Sequence, residues 1–238
     1  MCIRDRYSEV VLSFTDRLFY PSGLVVVSLK DQSFRSFIHP GHMKRFIIGD
    51  FDHDGKKEIV LGGENQAIKN VCITVLDPSV LNGSSPDLYG VKFKGFEDDV
   101  AKYYIKLPIS PLCKKHWEIC GSKGCTKPVL AALQINERGN LQASVREKYL
   151  DRNNCSMIFS FSKKWQCTDL IFTDVYKDAL MRSCGITDRQ SLSDSLNAIA
   201  RSLRKGIKYF DGSEWSEKPK INSGYLRTIS KRETQGRA

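Results

Sequence analysis

The sequence predicts a mainly β protein, built as an antiparallel meander with one late α-helix. Three observations lead to this prediction. Short runs of β-branched and aromatic residues recur through most of the chain. Stretches rich in Gly, Pro, Asn and Asp separate these runs, and such stretches are typical of turns. Near the C-terminus, by contrast, apolar residues recur at the three- and four-residue steps of a helix.

The predicted strands of the first half lie close together in the chain, which indicates hairpins joined in series. They are Val10–Phe14, Leu24–Leu29, Phe34–His39, Arg45–Ile48, Glu58–Leu61, Val71–Leu76, Val91–Phe93 and Tyr103–Leu107. Between them lie segments of turn-like composition, including "HPGH", where we expect His39 and His42 to flank a turn, and "GGEN". Such spacing is compatible with a sandwich, a barrel or a propeller.

Proline, glycine and cysteine are concentrated in residues 108–126, which predicts an irregular connector. Strands resume after it, at Val129–Ile135, Leu141–Val145, Met157–Phe161 and Asp169–Phe172. We therefore divide the chain into a first β region at 7–110 and a second β-rich part at 111–226.

The opening "MCIRDR" resembles a translated sequencing-adapter remnant from environmental DNA, so residues 1–6 are expected to be an artefact that replaces the true N-terminus.

One helix is predicted over residues 188–205. Its apolar face repeats at helical spacing, with Leu192, Leu196, Ile199, Leu203 and Ile207. Thr187 is the expected N-cap, and Gly206 is the expected end of the helix. The following "KYFDGSEW" predicts a hairpin that turns at Asp211 and Gly212. The polar residues 227–238 predict a disordered tail.

The chain of 238 residues carries a net charge of +10, from 37 Lys and Arg against 27 Asp and Glu. The basic residues are scattered, and their densest runs are Arg201–Lys208 and Arg227–Arg237. This pattern favours a solvated basic surface over a nucleic-acid interface. The longest apolar runs are strand-sized, which predicts no membrane span in this chain.

The segment Gly49–Leu61, "GDFDHDGKKEIVL", concentrates acids at alternate positions. Like charges this close repel one another, so a cation is expected among them. A backbone that curls at Gly55 would bring hard oxygen ligands onto one ion, which suits calcium. The predicted ligands are the carboxylates of Asp50, Asp52, Asp54 and Glu58 and the carbonyl oxygen of Lys56. An EF-hand is excluded, because its twelfth position requires an acid and here holds Leu61.

The loop resembles the D-x-D-x-D-G-x-x-D loops of FG-GAP and VCBS-type repeats in integrin-like β-propellers, with Glu58 in place of the last aspartate. Residues 24–52 also resemble the preceding part of a propeller blade. The resemblance implies a partial or degenerate β-propeller within a larger bacterial protein, with calcium as a structural cofactor. It further implies a non-catalytic, extracytoplasmic domain that presents a binding surface to a protein or glycan partner.

Two alternatives to the calcium loop remain open. "FIIGDFDHDG" also resembles the first motif of haloacid-dehalogenase-type, magnesium-dependent phosphatases, in which Asp52 would be the nucleophile and Asp54 the general acid. Lys56 stands where that family has Thr, and the phosphatase fold needs alternating helices and strands. The other alternative is a solvated acidic turn that binds no ion.

The eight cysteines include a cluster with the spacing C-x2-H-x3-C-x4-C. Four soft ligands of this kind could bind zinc. In an oxidising compartment the same cysteines could form a disulfide, with Cys155 or Cys167 as further candidates. Plain thiols are the third interpretation, and the compartment decides among the three. The cluster consists of Cys113, His116, Cys120 and Cys125.

Overall fold

The computed structural model describes residues 9–15, 21–65, 70–81, 101–112, 126–149 and 153–235. Strands β1 to β12 are, in chain order, Glu9–Thr15, Pro21–Ser28, Phe34–Gly49, Glu58–Asn65, Asn70–Leu76, Ala101–Lys106, Thr126–Ile135, Leu141–Tyr149, Asn153–Phe161, Cys167–Phe172, Lys208–Phe210 and Trp215–Ser216. Helices α1 to α3 are Asp174–Cys184, Arg189–Gly206 and Ser223–Gln235, and Pro78–Val80 forms a 3-10 turn.

The strands form two sheets. The larger sheet has eight strands in the order β1-β2-β3-β4-β5-β6-β11-β12, and the smaller has four in the order β10-β9-β8-β7. Every strand pair among the described residues is antiparallel. The prediction of a mainly β, antiparallel meander is confirmed. The predicted strand Val91–Phe93 lies outside the described residues.

Strand β3 is long and changes its partner along its length. Residues 34–40 pair with β2, and residues 41–49 pair with β4. The predicted turn at "HPGH" is therefore wrong, because His39 and His42 both lie in one continuous strand. Gly41 permits the change of partner, since a Cβ there would lie 2.0 Å from the Glu64 carbonyl oxygen.

The two sheets pack on each other around a shared apolar core. Strand β7 of the smaller sheet contacts β3, β4 and β5 of the larger one. Burial of each large apolar side chain in such a core contributes about 1.5–3 kcal/mol. Fully buried members from both sheets include Val60, Ile73, Ile105, Val145 and Phe159.

Helix α2 confirms the predicted late helix. Leu203 and Ile207 are buried in the core, and Leu192, Leu196 and Ile199 pack against it. Its N-cap is Asp188, not Thr187, because the Asp188 carboxylate accepts a hydrogen bond of 2.8 Å from the amide of Ser191. The predicted hairpin after the helix is also present, with Tyr209 paired to Ser216 across the turn.

Two helices were not predicted. Helix α1 buries Tyr176, Ala179 and Leu180, whose spacing is helical but spans a single turn. Helix α3 occupies residues expected to be a disordered tail, which are helical as far as Gln235. Contacts distant in sequence hold it, because its Arg232 donates hydrogen bonds to the carbonyl oxygens of Ser79 and Val80.

Within the described residues, no helix is both long and apolar enough to span a membrane.

The predicted turn "GGEN" is also wrong, because these residues belong to β4. Gly62 and Gly63 serve close packing instead. A Cβ at Gly62 would lie 2.1 Å from a methyl group of Leu130 on β7, so this glycine brings the two sheets together. A Cβ at Gly63 would lie 1.9 Å from the carbonyl oxygen of His42 on β3.

We predict that Gly63→Ala destabilises the fold more than Gly62→Ala does. The Gly63 methyl group would collide with backbone, which cannot rotate away, whereas the Gly62 methyl group would meet the flexible end of a leucine. Overpacking typically costs about 1–3 kcal/mol, so we expect Gly63→Ala at or above the upper value and Gly62→Ala near the lower one. Urea unfolding measures both, and equal losses would contradict the prediction.

A buried polar network crosses the larger sheet. Tyr104 on β6 accepts a hydrogen bond of 2.6 Å from the Asn65 amide, and its hydroxyl lies 2.7 Å from Nε2 of His39. Burial lowers the pKa of His39 from 6.5 to about 3. Burial also raises the pKa of the neighbouring Cys72 thiol to about 12, so this thiol stays protonated.

We predict that His39 makes the fold acid-sensitive. The unfolded histidine binds a proton below pH 6.5, whereas the folded one does not until about pH 3. Its stabilising contribution is therefore present above pH 6.5 and is lost as the pH falls toward 3, by up to about 1.4 kcal/mol per pH unit. His39→Gln, whose amide can still hydrogen-bond to the Tyr104 hydroxyl, should flatten the fall in unfolding free energy between pH 6.5 and 4.

Candidate metal centre

The acidic segment forms the connection between β3 and β4, and we call residues 50–58 the acid loop. Gly49 pairs with Glu58 across its base, so the loop closes a hairpin of the larger sheet. The flanking elements are strands, as the sequence predicts. Glu58 itself is the first residue of β4 and is 1% exposed.

Backbone amides of the loop turn inward onto its own carboxylates. The Asp52 carboxylate accepts from the amide of Asp54 at 3.2 Å, and the Asp54 carboxylate accepts from the amide of Lys56 at 2.8 Å. The Asp50 carboxylate accepts from the amide of Gly55 at 3.1 Å. Gly55 has a φ of +83°, which confirms that the glycine allows the sharp turn.

Three of the predicted ligands converge. Asp50, Asp52 and Glu58 each offer a carboxylate oxygen within 4.8 Å of the others. The Oδ1 atom of Asp50 is buried and has no hydrogen-bond partner among the described residues. An unpaired buried oxygen costs free energy. Asp54 lies outside this group of three, and the role of the Lys56 carbonyl oxygen stays a prediction.

Lys102 on β6 is a member of the site that the sequence did not predict. Its ammonium nitrogen lies 2.6 Å from Asp52, 2.8 Å from Glu58 and 3.5 Å from Asp54, measured to carboxylate oxygens. Strand register brings it there, because Ile59 pairs with Leu76 and Leu76 pairs with Ala101. The side chain of Lys102 is 10% exposed.

The charges of the site shift the pKa values of its groups. Burial alone would lower the pKa of Lys102, but the hydrogen bonds and charges of Asp52 and Glu58 outweigh burial and raise it. The ammonium therefore stays charged. Burial raises the pKa of Glu58, and the bonds from Lys102 and the Phe51 amide offset part of that rise. Lys102 contacts three of the four carboxyl groups of the acid loop. With Lys56 and Lys57 of the loop also counted, four carboxyl groups stand against three ammonium groups, a small excess of negative charge.

Core contacts hold the acid loop in place. The amide of Phe51 donates to the Glu58 carboxylate at 2.9 Å. The centroid of the Phe51 ring lies 6.0 Å from that of Trp165, in the turn between β9 and β10 of the smaller sheet. On the other side, the carbonyl oxygen of Lys102 accepts from the amide of Asn222. The geometry of the loop is thus coupled to the packing between the sheets.

Comparison with known proteins identifies no relative of this chain: no protein-family model, curated protein or solved structure matches it. The resemblance of the acid loop to FG-GAP and VCBS-type repeats therefore stays a prediction.

The predicted zinc or disulfide cluster of Cys113, His116, Cys120 and Cys125 lies outside the described residues. Cys167, one of the candidate disulfide partners, is a free thiol, as are Cys72 and Cys184. The acid loop is the one metal-ligating group found within the part of the chain that the structure describes.

We predict that Lys102→Met strongly destabilises the protein in buffer that contains a chelator. The substitution leaves Asp52 and the buried Glu58 without a counter-charge, and breaking a buried ion pair from one side costs about 3–5 kcal/mol. Lys106→Met on the same strand is the matched control, because Lys106 contacts the Trp215 ring and makes no ion pair among the described residues. Denaturant unfolding at pH 7 measures both variants.

A second substitution separates charge from packing. The double variant Lys102→Met with Glu58→Gln removes one of the carboxylates that repel each other when the ammonium is absent. Its free energy of unfolding should therefore be higher than that of Lys102→Met alone. If Lys102→Met is no worse than Lys106→Met, the ammonium does not hold the acid loop together.

Proposed function

We propose that this chain is a non-catalytic β domain whose acid loop binds calcium as a structural ion. One observation carries the proposal: the carboxylates of Asp50, Asp52 and Glu58 converge while Oδ1 of Asp50 is buried without a partner. An ion at these oxygens would satisfy that atom and balance the excess of negative charge.

The chemistry of the ligands favours calcium among biological metals. All three converging groups are carboxylates, with no thiolate or imidazole among them. Oxygen ligands of this kind suit calcium, magnesium and manganese. Calcium tolerates flexible, irregular coordination by several oxygens, whereas magnesium demands near-octahedral geometry. A short irregular loop, in which His53 and Gly55 both have positive φ, meets the first requirement more readily than the second.

Lys102 is expected to lower the affinity of the acid loop for calcium. Its ammonium contacts Asp52 and Glu58, which are also proposed ligands, so the lysine and the ion compete. Such competition weakens calcium binding toward the range of about 10⁻⁴–10⁻³ M that is typical of extracellular modules. The extracytoplasmic location is part of the proposal and rests on the resemblance of the loop. A protein or glycan partner, and membership of a larger propeller-like protein, rest on the resemblance of the loop alone.

The fold gives no support to the phosphatase alternative. The haloacid-dehalogenase-type fold implied by that resemblance needs alternating helices and strands, whereas strands β1 to β6 follow one another without an intervening α-helix among the described residues. In addition, Asp52, the nucleophile in that alternative, is bound to an ammonium at 2.6 Å. These observations support a structural role for the acid loop.

Thermal melting with calcium and with chelator tests the proposal. At ten times its dissociation constant, an ion adds about 1.4 kcal/mol of stability, which corresponds to a rise of about 3–6 °C in Tm for a chain of this size. We expect this rise in the wild type and a larger one in Lys102→Met, where the ammonium no longer competes. Lys106→Met should respond like the wild type, and Asp50→Asn should not respond.

Two outcomes would contradict the proposed function. One is a melting temperature that calcium leaves unchanged in both the wild type and Lys102→Met. The other is magnesium-dependent hydrolysis of an aryl phosphate that Asp52→Asn abolishes, which would assign the acid loop to catalysis.

A further inference from the structure

A cavity of about 270 Å³ lies where strands β3 and β4 meet β7 and β8, and we call it the basic cavity. Its charged lining residues are Lys44, Arg45, Glu64 and Arg146. It is separate from the acid loop, because Arg45 and Gly49 are four residues apart on β3. At about 3.3 Å per residue, that is about 13 Å along the strand.

A β-bulge places two successive cations at the basic cavity. Met43 pairs with Gly63 and Arg45 pairs with Gly62, so Lys44 is an extra residue in β3. In a regular strand, neighbouring side chains point to opposite faces. A bulge re-aims them, and here both Lys44 and Arg45 line the same cavity. The absent side chain of Gly63 permits the close approach of the two strands at this point.

The third cation comes from the smaller sheet. Arg146 on β8 pairs with Val129 on β7, next to a second register shift. Among the described residues, no ion pair or side-chain hydrogen bond is found for Lys44, Arg45 or Arg146. The single acid in the lining, Glu64, leaves a net charge of about +2 over one concave surface. A cleft lined by one sign of charge concentrates its field and attracts ions of the opposite sign.

The remaining wall of the basic cavity is apolar. Val129 and Leu130 of β7 contribute to it, and Val129 is 39% exposed. The volume is slightly below the range of about 300–1,000 Å³ that is usual for small-molecule sites, which limits the ligand to a small molecule. The cavity therefore combines a strongly basic side with an apolar side.

We propose that the basic cavity binds a small organic phosphate monoester. A phosphate monoester carries a charge of about −1.5 to −2 at pH 7, which matches the excess charge of the lining better than a carboxylate does. The guanidinium groups of Arg45 and Arg146 suit its oxygens, because arginine can donate two parallel hydrogen bonds. The apolar body of the ligand packs against Val129 and Leu130. This inference does not depend on calcium binding by the acid loop.

Isothermal titration calorimetry at low ionic strength with phenyl phosphate tests the proposal. We expect saturable binding at one site, weaker binding of inorganic phosphate and no binding of phenol. Arg45→Gln and Arg146→Gln should each weaken phenyl phosphate binding at least tenfold. The control is Arg138→Gln, in the turn between β7 and β8 and outside the basic cavity, which removes the same charge and should leave the affinity unchanged.

Further measurements sharpen the test. Val129→Ala should weaken the binding of phenyl phosphate more than that of inorganic phosphate, because only the former has an apolar body. All four variants change exposed residues, so their melting temperatures should match that of the wild type and exclude loss of folding. Added chelator should not alter the affinity for phenyl phosphate, which separates this site from the acid loop.

Three results would overturn the proposal. The first is the absence of saturable phenyl phosphate binding. The second is an equal loss of affinity in Arg138→Gln, which would indicate general attraction to a basic chain. The third is binding of a single-stranded oligonucleotide that is tighter than phenyl phosphate and is weakened alike by all three arginine substitutions, which would assign the charge to an extended nucleic-acid surface.

Discussion

The contact of Lys102 with the carboxylates of Asp52 and Glu58 is the interaction on which the surrounding structure depends. Without a cation, the acids of the hairpin β3–β4 would repel one another at the point where that hairpin must close. Closure positions Phe51 against Trp165, which joins the larger sheet to the smaller one. The ion pair thus supports the packing between the sheets at this end of the core, and its energy is sensitive to any ion that competes with Lys102.

Strand β3 connects two sites of opposite charge. At its C-terminal end the alternating acids form a loop that concentrates negative charge, and at its bulge Lys44 and Arg45 line a basic cavity. Both features arise where the regular ladder of β3 and β4 is interrupted. At a bulge or at the end of a strand, side chains no longer alternate strictly between the two faces of the sheet. The same strand pair therefore offers one surface for cations and a separate one for anions.

Several elements were predictable because their signals are local. Each strand of the described residues contains a stretch that residue type predicts, although β3 was predicted as two strands. Periodicity predicts helix α2, and Gly55 bends the acid loop as its sequence pattern requires. The errors at "HPGH" and "GGEN" have a common cause: the glycines there serve close approach between packed strands rather than a turn. Helix α3 was missed because Tyr225 and Arg232 gain their partners only from distant parts of the chain.

The sequence by itself determined the antiparallel β class and the late helix. It also predicted five ligands in the acid loop, of which the carboxylates of Asp50, Asp52 and Glu58 converge. These follow from interactions among residues that are close in the chain. Only the tertiary structure decided that Lys102 joins the acids and that Arg146 joins Lys44 and Arg45. Lys102 meets Glu58 across 44 residues of sequence. That contact depends on the register in which β4, β5 and β6 pair. Local composition does not determine this register, and a shift of one residue would place different side chains opposite each other.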